Sequence, residues 1–109
     1  MDNLDRVCVK VTPGICGFAC KVCARKVDKR SVTLRIEGSE CKQIQRLAQA
    51  VTQISVPDLF KALTRNPVFV SAEEAGCHST CSVPTAILKV SEAVLGMAVT
   101  SDVLIEFEP

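Results

Sequence analysis

Apolar and polar residues alternate strictly near the start of the chain. In the segment Arg6–Val11, Val7, Val9 and Val11 occupy one face, and the residues between them occupy the other. A period of two residues is the pattern of a half-buried β-strand. The chain therefore begins with a predicted strand that has one apolar and one polar face.

The alternation returns in two further segments, from Phe18 to about Val27 and from Val32 to Ile36. The polar run Asp28-Lys29-Arg30 separates them, as expected for a turn. Short polar connections between alternating segments are typical of antiparallel hairpins. The first third of the chain is thus predicted to form an antiparallel meander of three strands.

Helical spacing of apolar residues begins after Ser39, which is the predicted N-cap of a helix over 41–51. Ser55 is predicted to start a second, short helix through Leu63 that ends at Asn66-Pro67, because proline disrupts a helix interior. After it, Val68–Val70 is predicted to be extended.

Two glycines and a serine mark the predicted helix boundaries in the last third of the chain. Gly76 is expected to end any helix before it, and Ser82 to cap a further helix that Gly96 closes. Beyond that helix, Val103, Ile105 and Phe107 alternate with polar and apolar neighbours, which predicts a final strand.

The predicted order of elements is β-β-β-α-α-(β)-α-β. It indicates an α+β fold, a two-layer sandwich in which helices cover one face of a mostly antiparallel sheet. The length of 109 residues suits a single domain over 1–109.

This topology brings distant cysteines to one end of the sheet. If the three strands run up, down and up, the loop of Cys16 and the helix start at Cys41 lie at the same end. The last helix must begin there to return a final strand, which adds Cys77, His78 and Cys81. We therefore expect these five residues to lie at one rim.

Such a group predicts soft-ligand chemistry. Thiolates and imidazole suit zinc, copper(I) or an iron–sulfur cluster, and a helix start favours the thiolate form. Cys16, Cys41 and Cys81 are the preferred ligands, with Cys77 or His78 as the fourth. The leading hypothesis is a small domain that binds a soft metal or an iron–sulfur cluster.

Two other functions stay open. Cys77 and Cys81 are one helical turn apart in sequence and could cycle through a disulfide in a thiol redox protein. Alternatively, the cysteines are packing residues of a non-catalytic interaction domain, since free cysteine is often buried. Whether the protein is an enzyme is undecided, because no carboxylate or amide is positioned by sequence to orient His78 as a base for Cys81.

The run Cys16-x3-Cys20-x2-Cys23 has the cysteine spacing of radical S-adenosylmethionine enzymes. Those enzymes are far longer, and their cysteines lie in a loop. Here Cys20 and Cys23 fall on a strand, where residues three apart point to opposite faces. The spacing is therefore interpreted as accidental, and Cys8 and Cys23 are assigned to the polar sheet face, without a chemical role.

Composition and charge limit the partners and the location that we expect for this protein. The net charge of +1 and the absence of Trp and Tyr argue against a nucleic-acid partner. No signal peptide or membrane-spanning run is apparent, so we expect no membrane partner and a cytoplasmic location. The polar sheet face, with Cys8, Ala19, Cys23 and Val27, is a candidate dimer surface. A larger redox enzyme is the other expected partner.

Three segments together resemble a family of short proteins of unknown function from anaerobic bacteria and archaea. They are Pro13–Phe18, the helix start at Cys41, and His78–Pro84 with the following Ala86–Lys89 and Glu92. The pattern is PGxCGF…C…HxxCxVPxxILK. The resemblance implies that Cys16, Cys41, His78 and Cys81 belong to a shared pattern and that Cys20 and Cys23 are local additions. An anaerobic source would favour oxygen-sensitive thiolate or iron–sulfur chemistry.

Overall fold

Four antiparallel strands form one open sheet in the order β1-β2-β3-β4. The computed structural model describes residues 5–12 and 18–109. The strands are β1 Arg6–Val11, β2 Cys20–Asp28, β3 Ser31–Glu37 and β4 Gln53–Ser55. The predicted three-stranded meander is confirmed, and the fold class is α+β.

Helices follow the meander. They are α1 Lys42–Ala50, α2 Val56–Leu59, α3 Pro67–Ala75 and α4 Val83–Val94, with a 3-10 turn at Leu63–Arg65. In the described part of the chain, no helix has the length and apolar character needed to cross a membrane.

The core lies between the apolar sheet face and the helices. Helix α4 crosses β1 and β2, while α1 packs on β3 and α3 packs on both α1 and α4. The side chains of Val22, Val32, Leu47, Ile87 and Val83 are fully buried there. Helices α1, α3 and α4 thus lie on one side of the sheet, as the alternation of the strands predicts.

No helix or strand in the described part of the chain covers the other face of the sheet, which is positively charged. This outer face presents the side chains of Arg6, Lys10, Lys21, Arg25 and Arg35. The carboxylate of Glu37 pairs with Arg35, with 3.0 Å between Oε2 and Nε. The predicted polar face is therefore strongly basic, although the net charge of the whole chain is only +1.

Helix α3 corrects the sequence prediction that Val68–Val70 is extended. The helix that starts after Ser55 ends at Leu59 and not at Leu63, and a separate 3-10 turn ends before Asn66. Asn66 is instead the N-cap of α3, and its side-chain oxygen accepts a hydrogen bond from the Val68 N–H at 3.0 Å. Proline is tolerated at the first helical position, because the backbone N–H that it lacks would have no hydrogen-bond partner there. The same dipeptide that stops one helix can therefore start another.

The start of α1 also differs from the prediction. Its N-cap is Cys41 and not Ser39, so the helix begins at Lys42. Ser39 still contributes, because its hydroxyl oxygen accepts a hydrogen bond from the Cys41 N–H at 3.1 Å. Strand β4, directly after α1, was not predicted, since three residues are too few to show an alternation.

The predicted final strand is wrong. Residues 99–109 have no regular secondary structure, and Val103, Ile105 and Phe107 are 59%, 87% and 101% exposed. The helix before this segment ends as predicted, because Gly96 adopts a left-handed conformation with φ of 76°. The alternation of the segment is real, but none of the sheet pairings described involves it.

Candidate functional site

Cys41 lies at the N-terminus of α1 and packs, half-buried, against the core. Its thiol donates a hydrogen bond to the side-chain oxygen of Gln43, with 3.2 Å between Sγ and Oε1. The backbone of Cys41 is thus fixed by the helix that follows it, and its side chain by the contact with Gln43.

Cys77 is held by the way in which α3 ends. Gly76 adopts a φ of 81°, which a residue with a side chain rarely tolerates, and the Cys77 N–H then donates to the Ala72 carbonyl at 2.9 Å. This is the hydrogen bond of a Schellman motif. It fixes the backbone of Cys77 directly beyond the helix and leaves its side chain half-buried.

Arg46 joins α1 to this helix end. Its guanidinium donates two hydrogen bonds to the Ala75 carbonyl, at 3.0 Å from Nε and 2.7 Å from Nη2. The carbonyls of the last helical turn have no partner within the helix. Arg46 therefore satisfies one of them and brings a positive charge near Cys77.

Cys81 closes a turn between α3 and α4. The Cys81 N–H donates to the His78 carbonyl at 3.0 Å, so Cys77 and Cys81 bracket a single turn. Cys81 is half-buried against the core, whereas His78 is exposed. Helix α4 starts two residues later, with Ser82 as its N-cap.

The pKa of Cys77 reflects both its burial and the charged groups around it. Burial raises its pKa above the ordinary value, and the negative charges of Cys81 and Cys41 raise it further. The guanidinium of Arg46 acts in the opposite direction. Residues from three separate segments thus interact electrostatically around Cys77, and we call Cys41, Cys77 and Cys81 the thiol cluster.

This electrostatic environment predicts how fast Cys77 reacts with an alkylating reagent. We expect the midpoint of its pH–rate profile to lie above that of an exposed cysteine, because only the thiolate reacts. Cys81→Ser should lower the midpoint by removing a neighbouring negative charge, and Arg46→Gln should raise it. Peptide-resolved mass spectrometry after timed iodoacetamide labelling measures each midpoint.

The free energy of unfolding should depend on pH through the same raised pKa of Cys77. Because the pKa of Cys77 is raised on folding, the folded state holds this proton more tightly than the unfolded state. The free energy of unfolding should therefore fall as the pH rises from the ordinary thiol pKa through the raised one. A Cys77→Ser variant should lose this part of the pH dependence, and equal slopes in both proteins would contradict the assignment.

Four residues of the predicted site lie in the described part of the chain. The charges of Cys41 and Cys81 act on Cys77, and His78 is exposed. Cys16 lies outside the described residues. Within 5–12 and 18–109, no group of three or more His, Cys, Asp or Glu side chains is arranged to hold a metal ion. Metal binding therefore stays a prediction.

Cys8 and Cys23 correct the sequence analysis, which gave them no chemical role. They are directly opposite each other on β1 and β2, with 4.0 Å between their Cα atoms, and form a disulfide. Arg6 also contacts this pair, with 3.6 Å between Nη2 and the Cys23 Sγ. Cys20, by contrast, is buried on the core side. The opposite facing of Cys20 and Cys23 agrees with the interpretation that their motif spacing is accidental.

Sequence reasoning missed both Arg46 and the disulfide. The partner of Arg46 is a backbone carbonyl 29 residues away, which leaves no trace in side-chain patterns. For the disulfide a signal existed, since both cysteines were assigned to the same face of adjacent strands. The pairing register was missing, because the connection between these strands is too long for a turn type to fix it.

Comparisons with known proteins show family membership but no activity. The model of a family of unknown function, DUF6951, matches residues 7–107. Neither the curated proteins nor the solved structures include a match to the chain. The matched range includes β1 apart from Arg6, all later strands and helices that the structure describes, and the thiol cluster. On this evidence, the chain belongs to the family of unknown function DUF6951.

Proposed function

We propose that this protein binds a soft metal ion or an iron–sulfur cluster through the thiolates of Cys41, Cys77 and Cys81. The observation that supports it most is that the half-buried Cys77 is influenced electrostatically by both Cys41 and Cys81. Cys16 or the exposed His78 would supply a fourth ligand. Zinc, copper(I) and iron–sulfur clusters all accept such a sulfur-rich set.

Electrostatics favour a bound cation over free thiolates. Burial and the neighbouring cysteines raise the pKa of Cys77, so without a cation Cys77 keeps its proton at neutral pH. A metal ion replaces the protons of its cysteine ligands, which is why metal binding by cysteine releases protons. The arrangement is therefore better suited to a thiolate–metal bond than to an unbound thiolate nucleophile.

Loading the site would require small side-chain rearrangements. The Cys41 thiol is directed to the Gln43 amide, and this weak hydrogen bond must break for the sulfur to face a metal shared with Cys77 and Cys81. Rotation of a cysteine about one torsion angle moves the sulfur without moving the backbone. The backbones themselves are held by the α1 N-terminus, the α3 end and the turn before α4.

A thiol redox function is the second candidate, because the turn at His78–Cys81 brackets Cys77 and Cys81. The raised pKa of Cys77 makes it a poor attacking thiol at neutral pH. Cys81 would have to attack instead. A non-catalytic interaction domain remains the third candidate.

The test is metal analysis of protein purified without oxygen. We expect about one zinc or copper ion, or one iron–sulfur cluster, per chain, and Cys41→Ser, Cys77→Ser and Cys81→Ser should each reduce this content. Chelation should lower the melting temperature of the wild-type protein. Cys16→Ser and His78→Ala identify the fourth ligand by the same measurement.

The outer face supplies a matched control. The double variant Cys8→Ser/Cys23→Ser also removes sulfur atoms, but on the opposite side of the sheet, and should retain full metal content. Less than ~0.2 metal per chain, with a melting temperature unchanged by chelation, would rule the proposal out. Loss of two titratable thiols on mild oxidation, with a Cys77–Cys81 bond found by mass spectrometry, would favour the redox candidate.

A further inference from the structure

The segment Val103–Phe107 has the sequence of a strand but pairs with none of the strands that the structure describes. Its apolar residues are among the most exposed in the described part of the chain, with Leu104 at 76% and Ile105 at 87%. An alternating apolar segment in the open is costly in water and offers unpaired backbone groups to another strand. We call this segment the tail strand.

An open sheet edge offers a matching surface. β1 pairs with β2 on one side, and no described strand pairs on its other side. Val7 and Val9 face the core from this strand, yet they are only half-buried, whereas Val22 and Ala24 opposite them on β2 are completely buried. A further strand beside β1 would complete the cover over these two valines.

The charges of the two segments are complementary. β1 carries Arg6 and Lys10 on its outer face, and the tail strand is flanked and interrupted by Asp102 and Glu106. The spacing is four residues in both pairs. In a pairing that places Leu104 opposite Cys8, each of the two acidic residues lies opposite one of the two basic residues. This holds for both parallel and antiparallel pairing. In that register the tail's Val103 and Ile105 lie opposite Val7 and Val9.

We propose that the tail strand of one chain pairs with the β1 edge of a second copy, and that the exchange is reciprocal. Each chain carries both the tail strand and the β1 edge, so two copies pair reciprocally and form a closed, twofold-symmetric dimer. The family model, which matches residues 7–107, includes β1 and the tail strand. In the structure the tail strand lies away from its own sheet, which leaves the edge of its own β1 open to the partner copy.

The oligomeric state of the full chain tests the proposal. Analytical ultracentrifugation should give twice the chain mass of 11.7 kDa, with dissociation on dilution. Ile105→Pro should produce a monomer, because proline removes a backbone donor and an apolar contact. The tail strand is exposed in the single chain, so this variant should keep the circular dichroism of the folded protein. Thr100→Pro, outside the tail strand, is the control and should remain a dimer.

Charge reversal then reports the direction of pairing. Glu106→Arg should weaken the dimer, and a second reversal should restore it: Arg6→Glu if the strands are antiparallel, Lys10→Glu if they are parallel. A chain that stays monomeric at about 1 mM would overturn the proposal, since even weak association is visible there. So would a dimer that Ile105→Pro leaves intact, or a monomer whose tail amides are protected from hydrogen exchange by its own sheet. None of these outcomes depends on the metal content.

Discussion

Removing the Cys8–Cys23 disulfide is expected to lower the free energy of unfolding by about 3 kcal/mol. The two cysteines are 15 residues apart, and a cross-link over a loop of this length restricts the unfolded chain. The bond also fixes the register of β1 against β2, because the cysteines are opposite partners. Since β1 lies under α4, its loss should loosen the packing of that helix as well.

Urea denaturation of oxidised wild-type protein against Cys8→Ser/Cys23→Ser measures this difference. The double variant should unfold at a lower urea concentration with a similar slope. It should also lose the response to reductant that the wild-type protein shows, which separates this disulfide from effects on the other thiols. Identical midpoints for the two proteins would mean that the bond does not form in solution.

The second large effect is expected at Asn66, whose replacement by alanine should cost about 2 to 4 kcal/mol. Its side chain is buried, at 3% exposure, and makes two hydrogen bonds. The amide oxygen accepts from the Val68 N–H, and the amide nitrogen donates to the Asp58 carbonyl at 3.1 Å. Alanine removes the cap of α3 and also leaves the Asp58 carbonyl without this partner.

Because α3 leads directly to Gly76 and Cys77, this variant should disturb the thiol cluster as well as stability. We expect faster alkylation of Cys77 in Asn66→Ala at a fixed pH, as the end of the helix becomes more mobile. Asn66→Ser keeps a capping oxygen and should lose less stability. Thr64→Ala, on the exposed 3-10 turn nearby, is the surface control. A loss at Asn66 no larger than at Thr64 would contradict the assigned role.

Local patterns predicted the sheet well and the helices in part. The strands β1, β2 and β3 alternate over six or more residues each, so their faces could be read directly. The signal at Asn66-Pro67 was ambiguous, because proline both ends and begins helices. Only the tertiary contact between Asn66 and Asp58, eight residues apart, resolves it.

The prediction of the thiol cluster depended on topology. Three alternating strands fix which loops share an end of the sheet, and that places Cys41 in reach of the α3–α4 connection. The same reasoning used a final strand in the sheet, which the structure does not contain, so one of its premises was wrong. What no pattern could supply was the Arg46 bond to the Ala75 carbonyl, since it depends on how α1 and α3 pack.

The arginine-rich outer face of the sheet concentrates positive charge on one surface of this nearly neutral molecule. The side chains of Arg6, Lys10, Lys21, Arg25 and Arg35 share that surface, with the carboxylate of Glu37 beside Arg35. In the field of an anionic partner the molecule would turn its sheet toward the charge before contact. Encounter rates should then fall steeply with added salt, which a net charge of +1 alone would not suggest.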